Sequence, residues 1–209
     1  MTQASDRRFI LTLVSHLLPA LLALVAIPIL GRHLDDARFG VLTVLWTVMN
    51  LFVILDLGAG RIMTQSLATG DADSALGLLR RSERYLLLVF FAAIVIAAIW
   101  NHEITDRLFQ ISDPGLFDEV HVSLILLVLG ILPTFAATLA RGIFEGLGNF
   151  RIANAIQALN YGGLYFFPLV SLLVTNNLAV ICSILLLGRA LTLIPFYFLG
   201  RKKLKEQSR

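Results

Sequence analysis

Long apolar runs separated by short charged or glycine-containing segments dominate the chain. A helix that crosses a bilayer needs about 20 mostly apolar residues, and six runs have or approach this length. The predicted spans are 9–31, 40–60, 85–100, 121–140, 153–174 and 178–200. The pattern therefore predicts one all-α, polytopic membrane domain over residues 1–209, with six transmembrane helices and a basic tail at 201–209.

Two of the intervening segments have distinct characters. Segment 70–84 offers Asp71 and Asp73 as caps and then carries apolar residues at helical spacing, which predicts a short interfacial helix or a backward extension of the third span. Segment 101–120 is acidic and contains the turn signal Asp113-Pro114-Gly115, so it is predicted to be a solvated connector.

The composition agrees with a membrane protein, since 57% of residues are hydrophobic, 15% are charged and the mean hydropathy is +0.82. The isoelectric point near 9.4 does not indicate a nucleic-acid partner, because the basic residues are spread over span-flanking segments rather than gathered on one face. The single Cys182 lies in an apolar run, which excludes a disulfide framework built within this chain.

The basic residues also predict an orientation. Cytoplasmic segments of membrane proteins carry an excess of Lys and Arg, and alternate segments here hold thirteen and three of the 17. The richer side holds Arg7, Arg8, Arg61, Arg80, Arg81, Arg84, Arg141, Arg151, Arg201, Lys202, Lys203, Lys205 and Arg209. Both termini are therefore predicted to be cytoplasmic, with the basic tail anchored against anionic lipid headgroups of the membrane.

No catalytic constellation is present in the sequence. The four histidines fall on different predicted helices or loops without the spacing of metal ligands, and no Ser or Cys nucleophile has a nearby base. The sequence therefore predicts no catalytic residue, no metal site and no cofactor, and a protein that is not an enzyme.

Arg189 is the most informative residue, because it lies near the middle of the sixth predicted span. A central Arg costs roughly 2.5–3.5 kcal/mol on insertion scales, so such residues face a partner, a polar cavity or a substrate path rather than lipid. This favours transport.

Other polar residues fall at similar depth on other spans and are expected to turn inward. They are His16, Asn50, Asn160 and Tyr161. For the first three, hydrogen bonding between helices is as good an explanation as substrate contact. Asp56 and Arg61, near the predicted inner surface, form either a salt-bridged helix end or part of a site. Arg141 and Glu145 have the spacing of a helical ion pair, which by itself indicates no site.

Three stretches resemble the N-terminal half of a polysaccharide exporter, an O-antigen-type flippase of the multidrug/oligosaccharidyl-lipid/polysaccharide superfamily. They are 28–34 (PILGRHL) leading to 38–40 (RFG), 56–61 (DLGAGR), and 140–150 (ARGIFEGLGNF) followed by Asn154 and Asn160. The resemblance implies a transporter that moves lipid-linked oligosaccharide across the bacterial inner membrane through a central cavity. Cationic side chains of that cavity meet the substrate pyrophosphate, a role that guanidinium chemistry allows for Arg189.

The resemblance covers one lobe of a fold that has two lobes. It therefore implies a partner, either a second copy in parallel orientation or a separate C-terminal lobe. The candidate substrate-binding residues are Arg189, His16, Asn50, Asn160, Asp56 and Arg61. Two other functions stay open: a cation-coupled small-molecule exporter of the same superfamily, with Asp56 as coupling carboxylate, and a non-transporting membrane scaffold.

Overall fold

The computed structural model describes residues 2–51, 58–109 and 113–208, and within these ranges every regular element is helical. The helices are α1 (Thr2–His33), α2 (Asp36–Leu51), α3 (Ala59–Ala68), α4 (Ala72–Ile104), α5 (Pro114–Leu129), α6 (Ile131–Gly146), α7 (Phe150–Ser171) and α8 (Leu178–Gln207). A π-helical turn, Thr105–Phe109, continues α4.

Short polar side chains fix where many of these helices begin, by accepting hydrogen bonds from backbone N–H groups of the first turn. Asp35 accepts from the N–H of the residue three positions on, at 2.8 Å, and Asp71 does the same at 2.9 Å before α4. Asp113 caps α5, with proline in its first turn. Asn149 and Asn177 cap α7 and α8. The predicted turn at 113–115 is thus the start of a helix.

Within the described ranges, four segments are long and apolar enough to cross a membrane: Thr12–His33, Ala72–Ile99, Pro114–Gly146 and Leu178–Gln207. They correspond to the first, third, fourth and sixth predicted spans, so the chain is a multi-pass membrane protein. The second prediction includes residues outside the described ranges. The fifth corresponds to α7, in which amide side chains interrupt the apolar residues. Six crossings therefore stay a prediction.

The segment 70–84 does not form a separate interfacial helix, and that alternative was wrong. It is the first part of α4, because Asp71 caps the helix and no proline interrupts it. Ala75 and Leu79 are buried against α3 and α6. Similarly, α8 runs on to Gln207, so most of the predicted basic tail is helical, and its Leu204 is fully buried.

The fourth predicted span consists of two helices, α5 and α6, that meet at Gly130. Pro133 lacks the N–H that would bond to the carbonyl one turn earlier, which explains a break at this point. The hydroxyl of Thr134 donates to the Gly130 carbonyl at 2.8 Å, which strengthens a backbone contact whose own N–H bond is long, at 3.4 Å.

Buried apolar side chains form separate clusters. One joins α1, α2, α5, α7 and α8 around Leu42, Leu45 and Ile181. Another joins α3, α4, α6 and α8 around Met63 and Ile143, and a smaller one lies between α6, α7 and α8. Polar groups of α7 and α8 lie between the clusters.

Candidate functional site

A cavity of about 840 Å³ is bounded by α3, α6 and α7. Its lining residues are Gly58, Gly60, Arg61, Thr64, Gln65, Ala68, Ala137, Thr138, Arg141, Gly142, Glu145, Phe150, Ile156, Gln157, Asn160 and Tyr161. This volume falls within the range of small-molecule sites, and the wall combines apolar residues with many polar and charged side chains.

Glycines hold two walls of the cavity together. A Cβ built on Gly142 would lie 2.4 Å from the carbonyl oxygen of Gly60, so α3 and α6 are in backbone contact. One turn later, a Cβ on Gly146 would lie 2.6 Å from that of Leu67. Glycines four residues apart are a common means of close helix packing in membranes. The hydroxyl of Thr64 in α3 adds a hydrogen bond between the two helices, to the Gly142 carbonyl at 3.2 Å.

The charged side chains of the cavity lie on these two walls. Arg61 is exposed and has no ion-pair partner among the described residues. Arg141 donates from one terminal nitrogen to Glu145 at 3.2 Å, and both side chains are only partly exposed. Thr64 Oγ1 lies 3.5 Å from the other carboxylate oxygen. The α3 and α6 walls together therefore hold two guanidinium groups and one carboxylate, with a net positive charge.

The third wall, α7, presents amides and a phenol. Gln157, Asn160 and Tyr161 follow one another at helical spacing and so share a face. Gln157 is 4% exposed, and its Nε2 donates to the imidazole Nε2 of His16 at 2.7 Å. Its Oε1 has no partner within residues 2–51, 58–109 and 113–208. Asn160 is also buried, and its Oδ1 accepts from Arg189.

Arg189 lies behind Asn160 and does not line the large cavity. It is 2% exposed, so it avoids lipid as expected. One terminal nitrogen donates to Asn160, while Nε and the other terminal nitrogen have no partner in the part of the chain that the structure describes. The arginine stem packs against α7, where a Cβ built on Gly163 would lie 3.6 Å from Arg189 Cγ, an ordinary contact distance.

The other predicted polar residues are not all brought together. His16 is exposed at the α1–α7 contact, where its Nδ1 donates to the Thr12 carbonyl at 2.7 Å. Asn50 is exposed and donates to the Trp46 carbonyl of its own helix at 3.0 Å. Asp56 lies outside the described residues. Of the six predicted site residues, Arg61 and Asn160 line the cavity.

Sequence reasoning missed several cavity residues. Arg141 and Glu145 were read as a surface pair, and Gln157 and Thr64 were not singled out. A usable signal was present: Arg141 and Glu145 flank glycines at helix-packing spacing, and Gln157 shares the helical face of Asn160.

At the predicted outer end of the bundle, Arg38 and Glu119 tie three helices together. Arg38 donates to the two Glu119 carboxylate oxygens at 2.9 and 2.7 Å, and Glu119 also accepts from the Leu178 backbone N–H at 2.9 Å. The Arg38 backbone N–H lowers the pKa of Asp35. Hydrogen bonds to Glu119 and Asp35 raise the pKa of Arg38. These bonds join the starts of α2 and α8 to α5.

The protein-family model described as "Polysaccharide biosynthesis protein" matches residues 6–209 of the chain. Neither the curated proteins nor the solved structures include a significant match.

Proposed function

Because the chain belongs to the polysaccharide biosynthesis protein family, we propose that it moves lipid-linked oligosaccharide from the cytoplasmic to the outer leaflet of the bacterial inner membrane. The observation that carries this proposal is the large cavity among α3, α6 and α7, with cationic side chains on two walls and amides on the third.

The charged walls suit the phosphate groups of such a substrate. Each guanidinium presents parallel N–H donors that match phosphate oxygens, and the pairing strengthens where water is partly excluded. Arg61 and Arg141 each adjoin a glycine of the α3–α6 contact, namely Gly60 and Gly142. Both arginines therefore line the same cavity from helices that are in backbone contact, so a single diphosphate in that cavity could be bound by both.

The α7 wall suits the sugar. Amide side chains both donate and accept hydrogen bonds, which matches the mixed character of sugar hydroxyls. Gln157 lines this wall, and its buried Oε1 has no donor among the described residues. Tyr161 adds an aromatic surface against which the apolar face of a sugar ring packs.

Glu145 partly neutralises the positive charge of the cavity. It holds Arg141 at 3.2 Å, and a substrate phosphate competes with it for the same guanidinium. When no substrate is bound, the Glu145 carboxylate therefore acts as a counter-ion for the partly buried Arg141 and reduces the cost of its desolvation.

Arg189 and His16 act indirectly in this proposal. Arg189 orients Asn160 through its hydrogen bond, and His16 orients Gln157 in the same way. Both are positioning residues, and neither needs to touch the substrate.

The cavity has walls from α3, α6 and α7, and we propose that a second lobe completes it, either a parallel copy or a separate chain. By the distribution of Lys and Arg, the end with Arg61 and Arg141 faces the cytoplasm, where the lipid-linked substrate is made.

Transport is tested by reconstituting the chain into proteoliposomes with a fluorescent, prenyl pyrophosphate-linked sugar and following its protection from a membrane-impermeant quencher. The proposal expects the fraction quenched from outside to rise with time. A scaffold without transport activity leaves that fraction equal to that of protein-free vesicles, while a cation exporter moves an organic cation instead.

A further inference from the structure

The predicted cytoplasmic ends of α4 and α8 pack against each other. Leu79 of α4 and Leu204 of α8 are buried in the same apolar cluster. About one turn further into the membrane, Glu83 accepts a hydrogen bond from the Tyr197 hydroxyl and lies 3.6 Å from Arg201 Nε. Since residue numbers increase along α4 and decrease along α8 in this direction, the two helices run antiparallel.

This contact places two exposed cations on one side of the helix pair. Arg80 directly follows Leu79 in α4. Lys205 directly follows Leu204 in α8. One residue advances a helix by about 100°, and in antiparallel helices the residues that follow two facing residues turn to the same side of the contact. The other side is covered by α6, whose side chains lie 3.5 Å from a Cβ built on Gly200. Arg80 and Lys205 therefore flank an open cleft between α4 and α8.

Apolar side chains continue this cleft toward the membrane centre. Leu87 lies seven residues after Arg80, and Phe198 lies seven residues before Lys205. Seven residues make about two turns, so each apolar side chain shares the face of its cation and lies about 10 Å deeper in the bilayer. Leu87 is 62% exposed and Phe198 is 59% exposed. The cleft thus has cations at the level of the lipid headgroups and a hydrocarbon surface below them.

The protein itself does not neutralise the two cations. Within the described ranges, neither Arg80 nor Lys205 forms an ion pair, and the carboxylate of Glu83 is engaged by Arg201. Basic side chains near the membrane surface attract anionic lipids. A soluble phosphate compound would contact the cations alone and leave Leu87 and Phe198 uncovered. An anionic phospholipid matches both the charged and the apolar part of the cleft.

We propose that one anionic phospholipid binds in this cleft, with its phosphate between Arg80 and Lys205 and an acyl chain along Leu87 and Phe198. The lipid joins α4 to α8 on the side that α6 does not cover. Such a site is more specific than the attraction of a basic tail for a charged membrane, because it requires these two cations and not their neighbours. It lies outside the large cavity, so it does not depend on the proposed transport function.

The first test counts bound lipids by native mass spectrometry of the chain released from mixed micelles of phosphatidylglycerol and phosphatidylcholine. We expect one phosphatidylglycerol to be retained in preference to phosphatidylcholine. Arg80→Gln combined with Lys205→Gln should lower this preference at least tenfold, since each basic residue near the surface contributes about fivefold. Equal retention of the two lipids by the unmodified chain would overturn the proposal, because the headgroup charge would then not be recognised.

Arg81→Gln combined with Lys203→Gln is the matched control. It removes the same charge from the same helix ends, but Arg81 is two positions from Leu79, and Lys203 lies 5.8 Å from the Phe144 ring of α6. This variant should keep the preference for phosphatidylglycerol. An equal loss in both double variants would replace the site with diffuse attraction. Release of the lipid by comparable concentrations of glycerol phosphate would instead show a site for soluble phosphate, and either result would overturn the proposal.

A second measurement locates the lipid in a chain that keeps both cations. Phe198→Trp places a fluorophore in the cleft, and the unmodified chain gives the background emission of Trp46 and Trp100. Bromine atoms on an acyl chain quench tryptophan only at short range. We expect brominated phosphatidylglycerol to quench the added emission at a several-fold lower mole fraction than brominated phosphatidylcholine. Identical quenching curves for the two lipids would refute the site.

Discussion

Gly60 and Gly142 bring the backbones of α3 and α6 into contact, with only 2.4 Å between the Gly60 carbonyl oxygen and a Cβ built on Gly142. Arg61 follows the first glycine and Arg141 precedes the second, so this contact sets the positions of both cavity arginines. The residues that pack α3 against α6 are thus the direct sequence neighbours of the arginines proposed to bind the substrate.

Replacing Gly142 with alanine should separate α3 from α6. The new methyl group would clash with the backbone of Gly60, which cannot move aside as a flexible side chain could. Overpacking of this kind costs about 1–3 kcal/mol. We expect a lower melting temperature and reduced transport, measured on the same nanodisc preparation.

Gly77→Ala in α4 is the matched control, because a Cβ there has nothing within 4 Å. It should leave stability unchanged or raise it by about 0.5–1 kcal/mol, since alanine favours helix. Equal stability of the two variants would contradict the packing argument.

The helices themselves were largely predictable from sequence, because a bilayer demands long apolar runs with internally satisfied backbones. The exact boundaries between helices were not predictable. The break at Gly130 depends on Pro133, and apolar patterning does not register a break inside a run that stays hydrophobic on both sides.

Removing the partner of Arg189 should destabilise the bundle. Asn160→Ala leaves that guanidinium nitrogen without its acceptor, which typically costs about 1–3 kcal/mol. Asn160→Asp keeps an acceptor and adds a counter-charge, so its loss should be smaller. Thermal unfolding of the two variants checks this order, and a greater loss in Asn160→Asp would show that Arg189 does not rely on Asn160.

The candidate site was only partly predictable. Depth in the membrane predicted that Arg189 and Asn160 turn inward, and both side chains are buried and hydrogen-bonded to each other. Depth alone does not fix the direction of a side chain around its helix, so Asn50 bonds to its own helix and Arg189 does not line the large cavity. The contact of two glycines far apart in sequence could not be read from one chain.

Glu119→Gln should weaken the outer end of the bundle. The carboxylate accepts from Arg38 and from the backbone N–H of Leu178 at the start of α8, and charge-assisted bonds of this kind contribute about 1.5–3 kcal/mol. We expect that loss in the free energy of unfolding.

Glu103→Gln serves as the control, because Glu103 pairs with Arg107 on an exposed helix surface. Such pairs contribute about 0.3–0.5 kcal/mol. If both substitutions had equally small effects, the contact of Arg38 with Glu119 would not hold the three helices.

Glu145→Gln should increase the affinity for an anionic ligand. The neutral amide no longer competes for Arg141, so inorganic pyrophosphate should bind several-fold more tightly, as measured by calorimetry on the nanodisc protein. The gain should vanish in the Arg141→Gln background. A gain that persisted there would mean that Glu145 acts through another group.

The most direct test of the account is transport of a prenyl pyrophosphate-linked sugar by the double variant Arg61→Gln, Arg141→Gln. Each lost phosphate contact is expected to cost about 1.5–3 kcal/mol, roughly tenfold or more in affinity, so transport should fall at least tenfold. Arg81→Gln combined with Arg84→Gln, on exposed positions of α4 outside the cavity, should transport at the unmodified rate. Unimpaired transport by the Arg61, Arg141 double variant would contradict the assignment of this cavity as the substrate path.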